Sequence, residues 1–189
     1  MLGQMRIGKK QISYVPPNRN SQVNKKRKVV YMADLVLALA SGRRVLFIDE
    51  TGLNCHLEHS HHYAPKGHRW AYQRSANSFR NVTVLLATSQ FGVEGCLFVD
   101  GACDSVIFLH FIRSLVEANP DFAQPNLDRR PLLVLDNVAF HHSLAFKSFA
   151  LSKGLQVLFT PSYSPMLNAV EFANNLLKRN LAGTDLSDR

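Results

Sequence analysis

The sequence predicts an α/β domain built on a mixed five-stranded sheet with helices on both faces. Three observations carry this. Val45–Ile48 and Leu132–Leu135 are continuous apolar runs of the kind that form central strands covered on both sides. Val82–Thr88 and Gly95–Val99 are two strand-like runs joined by Ser89-Gln90-Phe91-Gly92-Val93-Glu94, a hairpin connection with a turn glycine. Helical stripes with start and stop signals fill the later intervals, giving the order β, β, β, α, β, α, β, α.

Taken in order, residues 1–28 read as a linker, because Pro16-Pro17-Asn18-Arg19-Asn20-Ser21 breaks both helix and sheet. Residues 24–41 are expected to form a helix with Val29, Val30, Ala33, Leu37 and Ala40 roughly on one face, stopped at Ser41-Gly42. The strand Val45–Ile48 is expected to end at Asp49-Glu50-Thr51-Gly52. Residues 53–80 lack periodicity and read as a long, partly hairpin-like excursion. After the hairpin, Asp104 or Ser105 caps a helix running to Ala118, with Ile107, Phe111, Leu115 and Ala118 at helical spacing, and Asn119-Pro120 ends it. A polar loop over 120–131 leads to the strand Leu132–Leu135. A short helix over 143–153 stops at Gly154, the strand Gln156–Phe159 follows, and Asn168–Leu181 is the last helix, with Val170, Ala173, Leu177 and Leu181 as its stripe.

Composition limits the function classes. With 46% apolar and 19% charged residues the chain can bury a core, which argues against disorder throughout. No apolar run approaches the ~18 residues of a membrane span, and the first residues lack a signal-peptide pattern. Three cysteines at Cys55, Cys96 and Cys103 form no disulfide framework and read as reduced thiols of an intracellular protein. Of 22 Lys and Arg, ten lie in residues 1–44 beside a single acid, Asp34, leaving twelve against thirteen acids in the remainder. The net charge of +8 is therefore the property of an N-terminal segment, which points to a polyanionic partner. Lys25-Lys26-Arg27-Lys28 is suited to tracking phosphates; it also fits a nuclear import signal if the host is eukaryotic, the cytoplasm being expected otherwise.

Three acids stand at the ends of buried-looking elements: Asp49, Asp136 and Glu171. In an α/β sheet such ends gather at one edge, where sites form. Carboxylates gathered there repel one another unless a cation lies between them, and an oxygen-only cluster suits Mg²⁺ or Mn²⁺. Each acid also has a plainer reading. Asp49-Glu50 fits a solvated loop, Asp136-Asn137 a strand-ending turn, and Asn168-x-x-Glu171 a capping box. Glu50 is the nearest substitute if Glu171 is only a cap.

Three motifs resemble the catalytic signatures of DDE transposases of the mariner superfamily and their bacterial insertion-sequence relatives. They are Val-Leu-Phe-Ile-Asp49-Glu-Thr-Gly, Leu-Val-Leu-Asp136-Asn-x-x-x-His141, and Pro-x-Tyr-Ser-Pro-x-Leu-Asn-x-x-Glu171. Thirty-four residues separate Asp136 from Glu171, a spacing typical of that group, and Tyr63–Arg69 resembles the segment after its first Asp. The resemblance covers residues 24–181. It implies an RNase H-like fold and a metal-dependent endonuclease and strand transferase acting at transposon ends. It also implies two Mg²⁺ (with Mn²⁺ able to substitute) held by Asp49, Asp136 and Glu171, with transposon-end and target DNA bound by a homodimer. Asn137 and His141 would support the ligands or touch DNA, and Asn168 would cap the helix of Glu171. Residues 1–43 would be a basic arm left from the DNA-binding region, 44–183 the catalytic domain and 184–189 a tail. Relatives carry Asp, Pro and an aromatic residue where this chain has Met166, Ala169 and Asn174. A non-catalytic DNA-binding or dimerising domain of transposase descent is the alternative.

The histidine-rich segment Cys55-His56-x-x-His59-x-His61-His62 lacks the second ligand couple of a structural zinc site. Lys66, Arg69, Trp70 and Arg74 downstream offer phosphate contacts and a stacking face, so the excursion is expected to lie along DNA, as are Lys25, Lys26, Arg27 and Lys28.

Overall fold

The computed structural model describes residues 17–54 and 81–181. Residues 1–16, the excursion with its histidines and Lys66, Arg69, Trp70 and Arg74, and the 184–189 tail lie outside the described residues.

The elements are α1 (Gln22–Ala40), β1 (Val45–Asn54), β2 (Asn81–Ser89), β3 (Gly92–Asp100), α2 (Ser105–Ala118), β4 (Leu132–Leu135), α3 (Leu144–Lys153), β5 (Gln156–Phe159) and α4 (Val170–Leu181). The sheet order is β3-β2-β1-β4-β5. β1, β2 and β3 form an antiparallel meander, and β4 and β5 extend it in parallel from β1. The mixed five-stranded sheet expected from the sequence is the one observed.

Strand alternation divides the core into two layers. Leu46, Ile48, Leu85, Ala87, Leu133 and Leu135 face α2 and α3, meeting Phe108, Phe111, Ile112, Leu115, Phe146 and Ala150. Val45, Phe47, Leu86, Leu132 and Val134 face the other way, against Tyr31, Leu35 and Ala38 of α1 and Val170 of α4. Local chemistry sets the boundaries. The Asp104 carboxylate accepts from the N–H groups of Val106 and Ile107, at 2.9 Å each, and starts α2. Gly154, at φ +62°, ends α3 in the left-handed conformation that favours glycine.

Two expectations are corrected. The first concerns α1. Its buried residues are Asn24, Tyr31, Leu35 and Ala38, whereas Val29, Val30 and Leu37 are exposed. This helix carries two apolar stripes, and the sheet takes the one with the aromatic ring and with polar groups that find carbonyl partners. Helix α1 packs on the sheet through Tyr31, Leu35 and Ala38. The second concerns β1, which does not end at Asp49. Its parallel pairing with β4 stops at Phe47, but antiparallel pairing with β2 carries it to Asn54. Asp49 thus sits mid-strand.

Gly95 of β3 is pressed against α2, and a Cβ there would stand 2.5 Å from the Leu115 Cδ2 in the core. Gly95→Ala is expected to cost about 1–3 kcal/mol through overpacking, read as a lower urea midpoint with an unchanged slope.

Candidate active site

Asp49 and Asp136 come together because of strand register. Phe47 pairs with Val134 at the last parallel position; Asp49 lies two residues on within β1, and Asp136 two residues on, just past the end of β4. Two residues is one pleat, so both carboxylates belong to the α4 side of neighbouring strands, which run ~4.8 Å apart. Glu171 arrives from the first turn of α4, anchored by the fully buried Val170. The three acids line one cleft of about 300 Å³, which Pro161–Pro165 and Asn168 also line.

Asp49 is 8% exposed. Burial, then the neighbouring Glu50, Asp136 and Glu171 carboxylates, push its acid up to about 7, although the Glu50 backbone N–H opposes this. Its Oδ2 accepts a hydrogen bond of 3.2 Å from the Asn174 side-chain amide. Asn174 is itself buried on the α4 stripe, at a position where the motif alone shows only a departure from the aromatic residue of relatives. The signal in the sequence is a polar residue at a core spacing between Val170 and Leu177.

Glu50 points to the opposite face of β1, as alternation requires, so it is not the third acid of the cleft. It meets His141, which is 0% exposed. His141 Nε2 lies 2.9 Å from Glu50 Oε1, and Nδ1 lies 2.9 Å from Asp136 Oδ1. The ring packs 4.2 Å from Phe108 and 4.5 Å from Phe140, centroid to centroid. Burial pulls its pKa down, but hydrogen bonds to Asp136 and Glu50 outweigh this and hold it at about 9. Ligand atoms of Glu50, Asp136 and His141 lie within 4.8 Å of one another, a spacing that by itself also suits a metal. Each ring nitrogen of His141 faces a carboxylate oxygen, so the ring bridges Glu50 and Asp136 from behind the cleft.

The other expected residues are placed as follows. Asn137 lines the cleft, and its Oδ1 lies 2.6 Å from His142 Nε2. The Asp136 carboxylate also accepts from the Val138 N–H at 3.3 Å, so the turn reading of Asp136-Asn137 holds alongside the cleft position. Asn168 lines the cleft too, but it does not cap α4. The helix starts at Val170, and the buried Asn168 Oδ1 has no hydrogen-bond partner among the described residues. The capping box fails because the chain enters α4 through a 3-10 turn over Pro165–Leu167, which leaves Asn168 one residue too early. Lys25, Lys26 and Arg27 are exposed on the first turns of α1, and the Lys28 ammonium donates to the Arg19 carbonyl at 3.1 Å; none of the four lines the cleft.

A five-stranded mixed sheet with this order, flanked by helices, with one acid on the central strand and another just past its parallel neighbour, is an RNase H-like fold. The chain belongs to the DDE superfamily endonucleases, whose family model matches residues 44–189. Among solved structures it is similar to the Mos1 transposase paired-end complex with left transposon end, at TM-score 0.72 and 18% identity over 95% of this chain and 55% of that one. It is also similar to the Mos1 mariner paired end complex with Mn, at 0.71 and 18% over 95% and 55%. The catalytic domain of Mos1 mariner transposase matches at 0.65 and 16% over 90% and 77%. The chain therefore spans about half the length of the paired-end Mos1 chains. Comparison with curated proteins found no match. The family and fold are those the three motifs imply. Among the described residues no helix is long and apolar enough to cross a membrane.

Proposed function

We propose that this chain is a metal-dependent DNA endonuclease and strand transferase acting at transposon ends, with Asp49, Asp136 and Glu171 holding two Mg²⁺ or Mn²⁺ ions. The observation that carries it is the convergence of three carboxylates from three separate elements on one cleft. The donor set fits hard divalent cations, being all oxygen, and a cation there would relieve the burial and carboxylate crowding that raise the Asp49 acid. Such cations would supply Lewis acidity toward the attacking and leaving oxygens of a phosphodiester. The protein's own part is to hold geometry. Asn174 fixes one Asp49 oxygen, Glu50 and His141 fix Asp136 from behind, and α4 delivers Glu171. The exposed Lys25, Lys26 and Arg27 offer a phosphate-binding surface. DNA bound by a homodimer completes the reading, in keeping with the DNA-end complexes of the Mos1 structures.

Plasmid nicking with Mn²⁺ tests it. The parent should nick, and Asp136→Asn and Glu171→Gln should each lose about 10³-fold or more, as residues acting as a unit do. Nicking by both variants at the parent rate would place the chemistry elsewhere. A parent that binds DNA without nicking it would instead be an inert domain of transposase descent.

A further inference from the structure

We propose that α1, which lies before the segment matched by the family model, is a positioning element of the cleft, and that Tyr31 and Asn24 are its working residues. This rests on the endonuclease reading of the same site. The Tyr31 hydroxyl donates to the Leu167 carbonyl at 2.8 Å, and the Asn24 side-chain amide donates to the Ser162 carbonyl at 3.2 Å and the Asn18 carbonyl at 3.1 Å. Both side chains are buried, 3% and 5% exposed. Phe and Leu would fill the same space without a polar group to desolvate. Two polar groups buried for the carbonyls of one loop therefore point to control of that loop.

The loop needs such control. Ser162, Tyr163, Ser164, Pro165 and Asn168 line the cleft together with Asp49 and Asp136. Its internal bonds are few: Ser164 Oγ to the Ser162 carbonyl at 3.2 Å, and the 3-10 turn bonds from Leu167 N to Ser164 O at 3.0 Å and from Asn168 N to Pro165 O at 2.9 Å. Tyr163 stands at φ +57°, a left-handed backbone unfavourable for a bulky residue. Such a conformation persists when its surroundings over-determine it, and the two α1 hydrogen bonds flank it, at Ser162 and at Leu167. The loop runs directly into Val170 and Glu171, so its placement sets where the third carboxylate meets the other two.

The test uses Tyr31→Phe, Asn24→Ala and the double variant in the full chain, with three readouts. Amide hydrogen exchange at residues 163–168 should speed up about fivefold or more for each of the two hydrogen bonds removed. Mn²⁺ affinity by calorimetry should fall about 10–100-fold in the double variant, as when groups behind metal ligands are removed. In plasmid nicking, kcat should fall while KM for DNA stays at the parent value, because both side chains are buried away from the surface a DNA could reach. Tyr31→Phe keeps the packing and decides the matter if the double variant does not fold. Parent-like loop exchange and Mn²⁺ affinity in Tyr31→Phe and in whatever folds of the rest would overturn the inference alone. A parent that binds no Mn²⁺ would sink the endonuclease reading, and this inference with it.

Discussion

Asp49→Asn should stabilise the metal-free protein at pH 8 and at the same time abolish its response to Mn²⁺. Asp49 has a folded-state pKa of about 7, above its ordinary 3.8. A group raised in this way favours folding below pH 3.8, and that contribution is lost as pH rises through 7. At pH 8 the ionised carboxylate is held among Glu50, Asp136 and Glu171 at a cost that a neutral amide of the same shape avoids. The gain should be about 2 kcal/mol, or ~4–8 °C in melting temperature for a chain of this size. Mn²⁺ reverses the order. Bound by the parent at a hundred times its dissociation constant, it adds about 2.7 kcal/mol, and the addition should grow between pH 5.5 and 8 because the metal requires the ionised form. Melting curves of parent and variant, with and without Mn²⁺, check both halves. A Mn²⁺-induced rise of equal size in the variant would remove Asp49 from the ligand set.

His141→Ala should be among the most destabilising single substitutions in the chain, costing about 3–5 kcal/mol at pH 6. The ring lies between two carboxylates, 2.9 Å from each, so its removal leaves Glu50 and Asp136 facing one another across a cavity beside Phe108 and Phe140. The pH dependence is specific. With a folded pKa of about 9 against an ordinary 6.5, the charged ring contributes fully below pH 6.5, and its contribution is lost as pH rises through 9. Parent and variant should therefore differ most at pH 6 and converge toward pH 9.5 in urea melts. A constant gap across that range would mean the ring acts by packing alone. Nicking should fall as well, since Asp136 loses the bridge that holds it from behind.

The order of elements, the sheet's mixed character and the three cleft acids were all legible in the sequence. Continuous apolar runs report strands covered on both faces, and the caps at Asp104 and Gly154 are local chemistry that needs no tertiary contact. What a helix faces is another matter. Periodicity finds a stripe, but α1 carries two, and only the sheet, by offering Val45, Phe47, Leu86 and Val134 to Tyr31 and Leu35, decides between them. The length of β1 was hidden for a related reason. Beyond Phe47 its β4 neighbour is gone, so its composition turns polar while β2 continues the ladder.

The sequence by itself determined which acids could gather. Asp49, Asp136 and Glu171 each follow an apolar run or begin a helix whose pattern is local. The tertiary structure alone decided what surrounds them. The Glu50–His141 contact, the Asn174 bond to Asp49 and the two α1 bonds to the cleft wall join residues far apart in the chain. Each pairs polar groups whose partners are set by side-chain direction and burial. Which distant group a given direction and depth meets depends on how separate segments pack, and that cannot be read along a chain.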